Sequence, residues 1–122
     1  MEQNFFIKSH GLGNDYIFLD NQFLTFKLSS ESIKRICDVH YGIGSDGILL
    51  LIPSDRADFG LRIFNPDGSE AEKSGNGLRI FAKTLFDEGY TKQKKFTIDT
   101  PGGIARAHIT AETNNKASRI AV

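Results

Sequence analysis

Between Leu78 and Phe86 the chain carries Leu78, Phe81, Ala82, Leu85 and Phe86 at the spacing of one helical face, and Ile80 widens that face further. A helix apolar over so much of its circumference cannot lie on a surface; it has to be wrapped. The spacing predicts this helix over Gly77–Glu88, capped at its end by Gly89. The wrapping material is legible as well. Apolar, β-branched or alternating stretches occur at Phe5–Lys8, Tyr16–Leu19, Ile48–Ile52, Phe59–Phe64, Lys95–Thr100 and Ile104–Thr110, each bounded by turn residues. The run Ile48–Ile52 is apolar without interruption, as in a strand covered on both faces. A first helix begins after Ser29, a preferred N-cap residue, with Ile33, Ile36 and Cys37 on its apolar stripe and Leu28 placed to staple against Ile33. After Thr110 the chain thins into the polar stretch Glu112–Lys116.

One domain is expected, because 122 residues is close to the commonest domain size. Fifteen basic residues balance fifteen acidic ones, so the total holds no basic footprint for nucleic acid. No apolar run reaches the ~18 residues of a membrane span, and the first residues do not read as a signal peptide. The single cysteine excludes an internal disulfide and a thiol-based zinc site, and a reducing, cytoplasmic setting is expected.

Glycine is over-represented, at 12 residues, and it is clustered. Such clusters mark sharp turns or places where the backbone touches something. Two of them echo each other, HGLGNDYIFL and YGIGSDGILL, which read either as a weak internal repeat or as two similar tight turns entering strands. The turn Asn65–Ser69 is built from turn-forming residues throughout.

The most informative segment is Ser74-Gly75-Asn76-Gly77, at the start of the second helix. A helix N-terminus points unpartnered N–H groups outward at the positive end of its dipole and stabilises a carboxylate or phosphate there. Glycines on either side leave the approach open. The alternative is structural: Ser74 or Asn76 is only an N-cap and the glycines only set the entry angle. Neither this segment nor the GLGND turn matches a nucleotide-binding glycine motif. His10 and His40 sit in glycine turns without a second ligand at metal-like spacing, His108 lies in a strand, and Cys37 falls on an apolar helix face. All four read first as packing or turn residues. Asp67, Glu70 and Glu72 follow a turn, where carboxylates are usually solvated.

Together, KSHGLGNDYIFLD, YGIGSDGILLL, LRIFNPDGSEAEKSGNGLRIFAK and FTIDTPGGI resemble the N-terminal half of diaminopimelate epimerases. The resemblance covers nearly the whole chain. It implies an α+β fold with a mixed β-sheet curled around a central helix, residues 1–122 forming one of two similar domains. It further implies an amino-acid substrate in the cleft between the domains, with neither pyridoxal phosphate nor a metal as cofactor. In such enzymes a cysteine from each domain faces one side of the substrate Cα; one thiolate removes the proton and the other thiol returns one to the opposite face. LL- and meso-diaminopimelate interconvert in this way, for lysine and peptidoglycan synthesis. By this resemblance Asn14 and Asn65 hydrogen-bond the substrate, and Gly75 and Asn76 follow the catalytic cysteine.

Three departures qualify the transfer. The catalytic cysteine position holds Ser74, a far weaker acid than a thiol. A glutamine of many relatives is Gly47 here. The second cysteine and the C-terminal domain lie beyond Val122, so the isolated chain is expected to be catalytically silent. A related isomerase, a hydroxyproline-type dehydratase and a non-catalytic amino-acid-binding module remain as alternatives. A half-protein exposes its inter-domain face, which leaves a homodimer open.

Overall fold

The computed structural model describes residues 6–11, 13–38, 45–72 and 74–122. Among them, β1 (Phe6–Gly11) and β2 (Asn14–Asp20) form an antiparallel hairpin, followed by a short 3-10 turn and α1 (Ser30–Cys37). Then come β3 (Ile48–Ile52), β4 (Phe59–Phe64), the two-residue β5 (Glu70–Ala71) and α2 (Gly75–Asp87). β6 (Lys95–Thr100), β7 (Gly103–Thr113) and β8 (Lys116–Ala121) complete the chain. The strands form one mixed sheet in the order β1-β2-β3-β4-β6-β7-β8, with β5 beside β4.

Two parallel pairs organise the sheet: β2 with β3, joined through α1, and β4 with β6, joined through α2. Because β3 and β4 are antiparallel, the second pair runs opposite to the first while stepping the same way across the sheet. Crossovers of one hand must then place their helices on opposite faces, and they do. Ile33 and Cys37 of α1 pack with Ile17, Leu19, Ile48 and Leu50, whereas Ile80, Phe81, Ala82 and Leu85 of α2 pack with Phe18, Leu49, Leu61, Ile98 and Ile109. Alternate residues of β2 and β3 therefore point into two different cores, which is why Ile48–Ile52 is apolar throughout. The sheet curls around α2, which touches β1 and β2 on one side and β7 and β8 on the other.

The capping residues act as the sequence predicts. Ser29 accepts a hydrogen bond from Ser32 N and the Ser32 hydroxyl accepts one from Ser29 N, a reciprocal capping box. At the end of α2, Gly89 takes φ of 81°, and hydrogen bonds from Tyr90 N to Leu85 O (2.9 Å) and from Gly89 N to Phe86 O (3.3 Å) form a Schellman motif.

Four expectations need correction. The helix predicted over Gly77–Glu88 starts two residues earlier, at Gly75, because the hydroxyl of Ser74 caps it. On its apolar face Leu78 and Phe86 are only half-buried, and Thr84 is buried instead, its hydroxyl donating to Ile80 O at 2.8 Å. The strands expected at Phe5–Lys8 and Tyr16–Leu19 extend toward each other, to Gly11 and Asn14, which are paired. The polar stretch after Thr110 is not a fraying end: β7 extends to Thr113, Asn114 and Asn115 turn the chain with positive φ, and β8 returns.

β8 would be an exposed edge, but α2 side chains cover it. Asp87 Oδ1 accepts from Ala117 N at 2.7 Å, and Lys83 Nζ donates to Ala117 O at 2.9 Å and is ion-paired with Asp87. No helix among the described residues is long and apolar enough to cross a membrane.

Candidate functional site

Ser74 is the N-cap of α2. Its Oγ accepts a hydrogen bond from Gly77 N at 2.9 Å, and its carbonyl accepts from Leu78 N at 2.9 Å. The flanking glycines serve different ends. A Cβ at Gly77 would lie 2.9 Å from Ser74 Oγ and 3.3 Å from Leu49 Cδ2, so the cap and the core beneath it require glycine there. A Cβ at Gly75 would meet nothing within 4 Å. The fold does not need glycine at 75, and the space over the first turn of α2 is open. Ser74 is a structural cap, and the helix start beside it is accessible.

That opening belongs to a cavity of about 240 Å³. Ser74, Gly75 and Leu78 form one side of it, Glu72 and Ile63 another, and the turn between β6 and β7, from Thr100 to Ala105, closes the third. The walls are largely apolar, with Ser74, Glu72 and Thr100 as the residues with polar side chains. Such a layout, apolar walls with a few placed polar groups beside a helix N-terminus, suits a small ligand bearing a carboxylate.

Of the residues matched to the resemblance, Ser74 and Gly75 line this cavity, while Asn14, Asn65 and Asn76 do not. Asn14 opens β2, two residues before Tyr16, whose hydroxyl lies 3.3 Å from Ser74 Oγ. Asn65 is exposed in the turn after β4; its Nδ2 donates to Ser69 Oγ at 3.0 Å, and its backbone N–H to Ser69 O at 2.7 Å. Asn76 occupies the second helical position, half-buried.

The side chain of His10, and all of His40, lie outside the described residues. His108 is exposed on β7. Cys37 is buried on α1, and burial pushes its thiol above the ordinary range despite a contact with Ser45 Oγ at 3.6 Å. The three acidic residues expected to be solvated are all exposed, and two of them also have partners. Glu70 forms a two-pronged pair with Arg62, at 2.6 and 3.0 Å, which holds its carboxyl below the usual range. Asp67 accepts from the hydroxyl and N–H of Ser69, which lowers its carboxyl likewise. Glu72, also exposed, is among the residues that line the cavity. Among the described residues no cluster of His, Cys, Asp and Glu is arranged to hold a metal.

Tyr16 and the turn Thr100–Gly103 are the functional-site neighbours that sequence reading missed. The glycine pair Gly102-Gly103 was a visible signal for the turn. Tyr16 sat inside a strand and offered none.

Comparison with known proteins bears on the whole of this arrangement. A family model described as diaminopimelate epimerase matches residues 6–121. "Diaminopimelate epimerase 2" of Nostoc sp. is 58% identical over 105 residues, covering 85% of this chain and 37% of that protein. The diaminopimelate epimerase of Acetivibrio thermocellus is 47% identical over 107 residues, covering 88% of the chain and 38% of that protein. The chain thus spans well under half the length of these curated relatives. Among solved structures, a probable proline racemase from Agrobacterium radiobacter with bound carbonate superposes with a TM-score of 0.72 at 17% identity, over 94% of this chain and 39% of that one. A methylitaconate-delta-isomerase gives 0.72 at 18% identity, over 92% and 61%. At such identities these two show the shared fold alone. The sequence matches carry the assignment further: the chain belongs to the diaminopimelate epimerase family.

Proposed function

We propose that this chain forms one wall of the substrate cleft of a cytoplasmic, cofactor-independent isomerase that interconverts LL- and meso-diaminopimelate by proton transfer at Cα. Its partners in that role are the amino-acid substrate and a C-terminal domain that supplies the opposite wall. A homodimer is compatible with the reading. The observation that carries it is Ser74, at the N-cap of α2 and in the wall of a cavity of about 240 Å³, where the family places a catalytic cysteine.

The chemistry expected of the site follows from that position. The start of α2 favours the substrate carboxylate, and preorganised donors there oppose the charge that develops as the Cα proton leaves. A thiol at position 74 would ionise more readily at a helix N-terminus than its ordinary ~8.5. Ser74 has no comparable acidity. Its side-chain partners are Gly77 N and the Tyr16 hydroxyl, neither of which is a base that could activate it. Ser74 is therefore expected to be a poor base, and residues 1–122 alone should give no solvent-deuterium incorporation at Cα of diaminopimelate.

The test is Ser74→Cys in the complete protein. Recovery of general-base catalysis predicts a rise in Cα exchange of about 10²–10⁴-fold. An unchanged rate would refute the assignment of the base to this position. Ser74 itself favours one second reading, in which serine is the working residue of a dehydratase or isomerase that uses a single thiol. Loss of water from a hydroxyproline, followed by proton NMR with the unaltered complete protein, would decide for it. Micromolar binding of diaminopimelate without turnover of either substrate would instead favour a binding module.

A further inference from the structure

Tyr16 is carried by β2 in the core under α2, and only 8% of it is exposed. Its hydroxyl reaches one polar atom among the described residues, Ser74 Oγ, at 3.3 Å. No buried side-chain nitrogen or oxygen among the described residues is left without a partner. Either oxygen of this pair can donate; because Ser74 Oγ is the one polar atom the Tyr16 hydroxyl reaches among the described residues, the arrangement that gives the Tyr16 proton a partner has Tyr16 donating and Ser74 Oγ accepting. Ser74 Oγ already accepts from Gly77 N at 2.9 Å. A hydroxyl oxygen has two acceptor sites, and both are then filled. In that arrangement the Ser74 proton is engaged with neither donor, and Ser74 lines the cavity with Gly75 and Glu72.

We propose that Tyr16 is a positioning residue that holds Ser74 as a hydrogen-bond donor toward the cavity, so that position 74 recognises an anionic oxygen, of the carboxylate or enolate class, and does not take a proton. The proposal rests on the reading above that this cavity receives an amino acid. It also links two of the residues that depart from the family pattern. A Cβ at Gly47 would lie 3.0 Å from Tyr16 Cε1 and 2.8 Å from Phe64 O. The missing side chain at 47 is what seats the Tyr16 ring where its hydroxyl meets Ser74.

The experiment converts position 74 into a reporter that needs no substrate. The chain carrying Ser74→Cys is compared with the chain carrying Ser74→Cys and Tyr16→Phe. Iodoacetamide alkylation is followed from about pH 6 to about pH 10, and labelled peptides are separated by mass spectrometry. A hydroxyl that donates to position 74 stabilises the thiolate there. Its removal should raise the titration midpoint of the introduced thiol by about one pH unit, the size expected for one hydrogen bond to a charged group. Cys37, buried on α1, is the internal control, and its slow labelling should be the same in both chains. A raised midpoint with Cys37 unchanged supports the proposal. An unchanged midpoint overturns it, and so does a raised midpoint accompanied by faster Cys37 labelling, which would mean general loosening. Failure of the complete protein carrying Ser74→Cys to exchange the Cα proton of diaminopimelate would count against the proposed function and leave this titration as it stands.

Discussion

Asp87 sits at the last position of α2, where a carboxylate faces the negative end of the helix dipole. Taken alone, Asp87→Ala should be neutral or slightly stabilising. The tie to β8 predicts the opposite. The Asp87 side chain is 12% exposed, and its Oδ1 accepts from Ala117 N at 2.7 Å. Ala117 is itself buried. Truncation leaves that N–H without its acceptor, and a hydrogen bond to a charged group is worth ~1.5–3 kcal/mol. The ion pair with Lys83 adds little, because Lys83 is 45% exposed and screened by water. The dipole returns ~0.5 kcal/mol, leaving a net loss of about 2 kcal/mol. For a domain of this size that lowers Tm by roughly 6–10 °C. Asp87→Asn keeps an acceptor oxygen and should lose less than half as much. Thermal unfolding by circular dichroism, with urea titration as a check on m, reads both variants. A Tm for Asp87→Ala at or above that of the parent would refute the account of β8 as a strand held by helix side chains. Equal losses for Ala and Asn would refute the hydrogen bond as its basis.

The two glycines beside Ser74 should separate cleanly in a stability assay: Gly77→Ala should cost more than about 1 kcal/mol by crowding Ser74 and Leu49, and Gly75→Ala should fall within about 0.5 kcal/mol of the parent or above it. Ser74→Ala should cost about 1 kcal/mol as a lost N-cap, read by urea unfolding. Tyr90 donates to the buried Asp20 carboxylate at 2.7 Å; burial, first, and that carboxylate, second, raise its pKa far above the ordinary value of 10. A folded pKa above the unfolded one gives stability that is full below about pH 10 and lost as pH rises further. Urea midpoints should therefore fall above about pH 10, and Tyr90→Phe should flatten that fall. At the β7–β8 turn, φ is 54° at Asn114 and 63° at Asn115, so Asn115→Gly should be tolerated while Asn115→Val should lower the urea midpoint.

The sequence echo between GNDYIFL and GSDGILL is the most instructive case of what could be read in advance. Aligning the two motifs pairs Ile17 with Ile48 and Phe18 with Leu49, which is the register of the parallel β2–β3 pair. Asp15 and Asp46 are held side by side as well, with Asp15 N donating to Asp46 Oδ2 and Asp46 N to Asp15 O, both at 2.8 Å. Similar residues recur because both strands face the same two cores at the same depth. The helix Leu78–Phe86 and the cap at Ser74 were legible for an equally direct reason, since local periodicity and capping chemistry decide them. β8 was not. In Lys116–Ala121 the one large apolar residue is Ile120, and the strand is tied to Asp87 and Lys83, some thirty residues away. Tyr16 was invisible as a site residue because nothing local tells a core tyrosine from one whose hydroxyl ends at Ser74 across 58 residues of chain.

The placement of helices on opposite faces of β2 and β3 has a consequence for motion. Strands sealed on both sides open only when a large part of the domain opens with them, so their amides should be among the last to exchange with deuterium. β8, paired with β7 on one side and tied to two α2 side chains on the other, should exchange through smaller fluctuations. Tyr16 belongs to the slow ribbon, and Ser74 is pinned to the helix that fills the inner core. The contact between them should therefore outlast the breathing of the sheet's far side, which gives the pocket floor a longer lifetime than its rim.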